Sequence, residues 1–179
     1  MEIIDRDRLA RLLDAVREAD ALPTPDETQE EQPVAVRRSR TWLAVRALGA
    51  LAVLTVGAVH LQQYLKLYSA IPTIGTLFVL NFAAATAIGL GLLAPVERLL
   101  GRRFGYLAPS LLALAGVGLA ATAFVFLAIS EQTPLFGFME PGYDPTAILV
   151  SRIAEGATVA LLGAYLAARL AGRADRGWW

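Results

Sequence analysis

His60, Asn81, Arg152 and Glu155 are the residues best suited to chemistry in this chain, because each interrupts a long apolar run in which a polar or ionisable group is costly. Gln63 and Tyr64 follow His60 by three and four residues, and Arg152 precedes Glu155 by three, spacings that bring side chains onto one helix face. Counted at about 1.5 Å per residue from the ends of the runs that hold them, His60 lies about eight residues deep, Glu155 about nine, and Asn81 at a similar level. His60, Gln63, Tyr64, Asn81, Arg152 and Glu155 therefore read as a polar pocket inside a helical bundle, with Arg152 and Glu155 paired. Such a pocket suits a ligand, an ion or a proton. The competing reading is a charge pair that neutralises itself and pins one helix to another.

Other chemistry finds little support. The absence of cysteine excludes a structural disulfide, a thiolate nucleophile, an iron–sulfur cluster and cysteine-bound zinc. Two methionines and one histidine argue against a self-contained copper or haem site, so no metal and no cofactor is expected. No Walker loop, nucleophile elbow, HExxH pair or EF-hand loop occurs. The stretch Gly89-Leu90-Gly91-Leu92-Leu93-Ala94 fits a loose dinucleotide pattern, but it lies within an apolar run rather than after a strand. Net charge is zero and basic residues are not interleaved with aromatics, which leaves nucleic-acid binding without a basis.

The elements that must position the polar group are set by hydropathy. Of 179 residues, 56% are hydrophobic and 18% charged, too apolar for a soluble domain of this size. Mean hydropathy is +0.52. A hydrocarbon core of roughly 30 Å needs about 20 helical residues. Four runs meet that length, at about 42–67, 72–94, 107–129 and 146–168. The expected fold is all-α: a polytopic four-helix transmembrane bundle over 42–170, preceded by a cytoplasmic amphipathic helix. Pro72 suits the first turn of the second span, where its missing N–H costs nothing, so the first two spans form a hairpin.

Arginines set the orientation. Arg37, Arg38 and Arg40 precede the first span, Arg98, Arg102 and Arg103 lie between the second and third, and Arg169, Arg173 and Arg176 follow the fourth. The connection after the third span carries Glu131, Glu140 and Asp144 and no basic residue. Basic flanks stay inside, so both termini and the 96–106 link are expected in the cytoplasm of a multi-pass plasma-membrane protein. Trp42, Tyr68, Tyr106, Tyr143 and Trp178-Trp179 stand near the proposed interfaces, where amphipathic rings are at home.

Residues 1–21 repeat Ile4, Leu9, Leu12, Leu13 and Val16 at near-helical spacing amid mixed charges, an amphipathic helix suited to a protein partner or to self-association. Residues 22–41 read as an acidic, proline-bearing linker ending in a basic stop, and 171–179 as a cytoplasmic tail. Helices associate in lipid through small residues. Gly156, Ala160, Ala164 and Ala168 form such a row on the fourth span and are expected to pack the bundle; Gly116 and Ala120 on the third and Ala85 and Gly89 on the second share the spacing.

The stretch His60-Leu61, Tyr64, Tyr68, Ile71-Pro72-Thr73-Ile74-Gly75-Thr76-Leu77-Phe78-Val79-Leu80-Asn81, with Leu135-Phe136-Gly137-Phe138-Met139-Glu140, resembles a group of small four-helix membrane proteins of high-GC actinobacteria. The layout is also similar to DoxX-like proteins. The resemblance implies a fold and carries no activity. Three function classes remain: a non-enzymatic accessory or structural subunit of a larger membrane complex, which fits a small chain without a catalytic set; a homo-oligomeric transporter or channel subunit with an outward-facing polar pocket; and a membrane redox or lipid-modifying enzyme using His60 with a carboxylate.

Overall fold

The structure, a computed structural model, describes residues 10–11, 13–17, 25–96, 101–105 and 107–174. Helix α1 runs Pro25–Lys66, a 3-10 turn Tyr68–Ala70 follows, and then α2 (Pro72–Leu93), α3 (Gly101–Gly105), α4 (Ala108–Ser130) and α5 (Pro145–Ala174). Four segments are long and apolar enough to cross a bilayer: Arg40–Lys66, Pro72–Leu93, Ala108–Ser130 and Pro145–Gly172. The chain is thus a multi-pass membrane protein built as a four-helix bundle.

The chain divides into two compact units, Met1–Thr41 and Trp42–Trp179. In the first, residues 10, 11 and 13–17 are helical, and Leu13 and Val16 are exposed. The remainder of the amphipathic segment 1–21 lies outside the described residues, as do Arg98, Tyr106, Arg176 and Trp178-Trp179. Residues 25–41, expected as a solvated linker, belong to α1 instead. Pro25 takes the first-turn position, acids Asp26 and Glu27 follow at the positive end of the helix, and no glycine interrupts the chain before Gly49.

In the second unit, prolines set the starts of the spans. Pro72, Pro109 and Pro145 each fall in a first turn. Successive spans run antiparallel. A Cβ added at Gly57 of α1 would stand 2.9 Å from Ala85 of α2, and one at Gly89 of α2 would stand 2.5 Å from Leu54 of α1, so both glycines permit a backbone approach no larger residue allows. Gly116 of α4 faces Leu162 of α5 and Ile88 of α2. Ala50, Val53, Ala85, Ile88, Leu92, Ala113, Leu162 and Tyr165 make a dry core drawn from all four spans, at the end of the bundle away from the 3-10 turn.

One packing expectation is corrected. Ala85, Gly89, Gly116 and Ala120 are buried as their spacing predicts, but Gly156, Ala160 and Ala164 are exposed, and Ala168 is only half-buried. Nothing lies within 4 Å of a Cβ placed at Gly156. The inward face of α5 belongs to Ser151, Ala154, Glu155, Thr158, Leu162 and Tyr165. Ser151, Glu155 and Thr158 are costly against lipid, so they claim the interior, and the small-residue row is carried round to the outside.

Candidate functional site

Opposite the dry core, at the end that holds the 3-10 turn and the 131–144 loop, the four spans part around a cavity of about 330 Å³. His60 and Gln63 of α1 line it, with Phe78 and Asn81 of α2, Thr122 and Phe126 of α4, and Ser151 and Glu155 of α5. Tyr68, Phe138, Glu140 and Asp144 line it at the end of the 3-10 turn and the 131–144 loop. Polar groups are few and the walls are mostly aliphatic and aromatic, the usual composition of a small-molecule site.

The floor of the cavity holds groups with unused hydrogen-bonding capacity. Glu155 is 1% exposed; its Oε1 accepts a hydrogen bond from Ser151 Oγ at 2.8 Å, one turn earlier, while its Oε2 has no partner. Asn81 is 9% exposed and its Oδ1 likewise has no partner. His60 Nδ1 lies 2.8 Å from the carbonyl oxygen of Val56. A carbonyl can only accept, so Nδ1 carries the proton and Nε2 of the neutral ring is left as an acceptor. Two buried oxygens without donors, and the His60 ring, therefore line one small space.

An aromatic column runs from His60 to the loop. His60 and Phe78 ring centroids are 4.9 Å apart, Phe78 and Tyr68 stack at 4.7 Å, and Tyr68 meets Phe138 edge-on at 5.6 Å. The 131–144 loop sits over the column because its own polar groups are satisfied locally. Leu135 and Phe138 exchange backbone hydrogen bonds at 2.7 and 3.0 Å around Phe136 and Gly137, both at positive φ, forming a tight hairpin turn. Phe136 at φ 52° is a strained position for a bulky residue, held by an edge contact of its ring with Phe126. Glu140, almost fully buried, accepts through Oε1 from the backbone N–H groups of Gly142 and Tyr143 at 2.9 and 3.1 Å, and through Oε2 from the Tyr68 hydroxyl. Burial, and then that hydrogen bond, raise the Tyr68 phenol well above its ordinary value.

Asp144 joins the loop to two helices. Its Oδ1 caps α5 by accepting from Ala147 N–H at 3.0 Å, and its Oδ2 accepts from Gln63 Nε2 at 2.9 Å and Lys66 Nζ at 3.2 Å. The Ala147 bond, then Gln63 and Lys66, lower the Asp144 carboxyl to about 2.

His60, Gln63, Asn81 and Glu155 thus meet at the cavity as the sequence leads one to expect, whereas two members of the group do not. Arg152 does not pair with Glu155: its Nη2 donates to Glu131 Oε2 at the start of the loop, outside the cavity lining. The guanidinium reaches outward to the accessible acid rather than losing its hydration beside a buried one. Tyr64 is turned onto the start of α2, its ring edge 3.4 Å from where a Gly75 Cβ would lie. Tyr68, Glu140, Asp144 and Ser151 were not anticipated as site residues. Asp144 was legible as an acid directly before Pro145, the signature of a helix N-cap, and Ser151 as a hydroxyl one turn from Glu155; nothing local marks Glu140 for burial. Comparison with protein-family models, curated proteins and solved structures gave no significant match.

Proposed function

We propose that this bundle is the binding unit of a membrane transporter subunit, holding one small amphipathic ligand in a cavity that opens to the outside of the plasma membrane. The observation that carries the reading is Glu155: a nearly fully buried carboxylate whose Oε2 has no partner and which lines the cavity. A buried polar group without a partner costs about 1–3 kcal/mol, a penalty a purely structural residue has no reason to retain. Orientation follows from Arg40 and Arg169, which flank the spans at the end away from the cavity and favour the cytoplasm. A second reading, an accessory subunit docking through residues 1–21, is supported by the exposure of Leu13 and Val16.

Native mass spectrometry of the protein extracted in mild detergent tests the binding reading. Wild type is expected to carry a small-molecule adduct that Ala123→Phe, which fills the cavity from α4, abolishes without loss of fold. An adduct unaffected by Ala123→Phe contradicts it. Orientation is tested by cysteines at Thr133 and Phe104, both exposed and in a chain with no native cysteine: only Thr133→Cys should react with an impermeant reagent on intact cells.

A further inference from the structure

The composition of the cavity identifies the kind of ligand. Resting on the binding reading above, we infer that the occupant is an organic ammonium: a protonated amine carried on a compact apolar or aromatic body.

Charge is the first argument. Glu140, Asp144 and Glu155 line the cavity and, among the described residues, no lysine or arginine does. Of the cations beside these acids, Lys66 is held by Asp144 itself and Arg152 by Glu131, so neither is paired with Glu155. The carboxylates are not equivalent. Glu140 is met on both oxygens by the loop backbone and Tyr68, and Asp144 by Ala147, Gln63 and Lys66, whereas Glu155 keeps Oε2 unpartnered. The ligand charge therefore belongs at Glu155.

Hydrogen-bond polarity points the same way. Asn81 Oδ1 and Glu155 Oε2 are buried acceptors without donors, and an ammonium supplies up to three N–H donors with no acceptor to be left unsatisfied. A phosphate or carboxylate would set a second negative charge and further acceptors beside Glu155 Oε2. Among the described residues no three His, Asp or Glu side chains are grouped to hold a metal ion, which disfavours an inorganic cation.

The walls require an apolar body. Phe78, Tyr68, Phe126 and Phe138 line the cavity and offer ring surface to the body of the ligand. A volume of about 330 Å³ suits one or two fused rings rather than a lipid chain. Leu80 of α2 and Thr122 of α4 line the cavity and are both exposed.

The test uses three ligands of one shape: naphthylmethylammonium, naphthylmethanol and naphthoate, titrated calorimetrically into the full-length protein in lipid nanodiscs. The ammonium is expected to bind at least about thirty-fold more tightly than the alcohol, with Glu155→Gln removing that preference and Ala123→Phe removing binding altogether. Naphthoate is expected not to bind. Equal binding of ammonium and alcohol, or a preference for naphthoate, overturns the ammonium assignment while leaving the binding site intact. Ammonium preference that survives Glu155→Gln overturns the role of Glu155. Binding of none of the three, or binding that Ala123→Phe does not affect, overturns the binding site itself. Because wild type alone distinguishes the three ligands, the result stands even if Glu155→Gln fails to fold.

Discussion

Ser151 donates its hydroxyl proton to Glu155 Oε1 at 2.8 Å, and this single bond from one turn earlier on α5 is all that meets a carboxylate 1% exposed. The pair orients the acid and leaves its second oxygen for something that is not protein. An arrangement kept for binding is poor for stability, so Glu155→Met is expected to stabilise the ligand-free protein by about 1–3 kcal/mol, the penalty of the unpartnered oxygen. Thermal unfolding in detergent measures it; a lowered midpoint would show that Glu155 is structurally paired after all.

The loop over the cavity depends on Tyr68 and Glu140. Tyr68→Phe removes the donor to an almost buried carboxylate and is expected to cost about 1–3 kcal/mol. The Tyr68 phenol is raised above its ordinary value near 10, so its contribution is complete below about pH 10 and is lost as pH rises through the higher folded value. Tyrosinate absorbance of wild type minus Tyr68→Phe should accordingly appear only well above pH 10 in an alkaline titration.

Asp144 titrates in the opposite sense. Its carboxyl is lowered from 3.8 to about 2, so its contribution is present above about 3.8 and lost as pH falls through 2. Asp144→Asn keeps a helix cap but loses the charge that faces Lys66. The acid limb of a stability–pH curve should flatten in Asp144→Asn, and a wild-type limb unchanged by the substitution would show that the Gln63, Lys66 and Ala147 bonds are not maintained in the bilayer.

Arg152 and Glu131 link α5 to the end of α4, with side chains 41% and 28% exposed. An ion pair this open is worth only about 0.2–1 kcal/mol. Arg152→Glu should lower the unfolding midpoint slightly, and adding Glu131→Arg should restore it; additive loss in the double variant would contradict the pairing.

The depth and type of the polar residues were readable from sequence, and with them four of the cavity groups, His60, Gln63, Asn81 and Glu155. The spans were readable too, because about twenty apolar residues in a row have few other uses. What sequence spacing did not decide was rotation. Gly156 and Glu155 are adjacent on α5, and a row of small residues and a row of polar ones compete for the same inward face; the cost of Glu155 against lipid settles it, and Gly156, Ala160 and Ala164 turn outward. Partner choice at Arg152 was hidden for a related reason. The helical spacing favours Glu155, but Glu131 is brought within reach only by the antiparallel pairing of α4 with α5. Continuation of α1 through residues 25–41 was missed because acids and prolines were weighed as linker composition, although Pro25, Asp26 and Glu27 also make a good helix start.

The central claim, an accessible cavity with Glu155 on its wall, is tested most directly by the reactivity of a cysteine at Ser151, a buried position that lines it. The chain has no other cysteine, so the signal is unambiguous. Ser151→Cys is expected to react from outside with a trimethylammonium methanethiosulfonate and far more slowly with the sulfonate reagent of similar size, while Gly156→Cys on the outward face of α5 reacts with neither. An inert Ser151→Cys, or one that reacts equally with both reagents, would contradict the account.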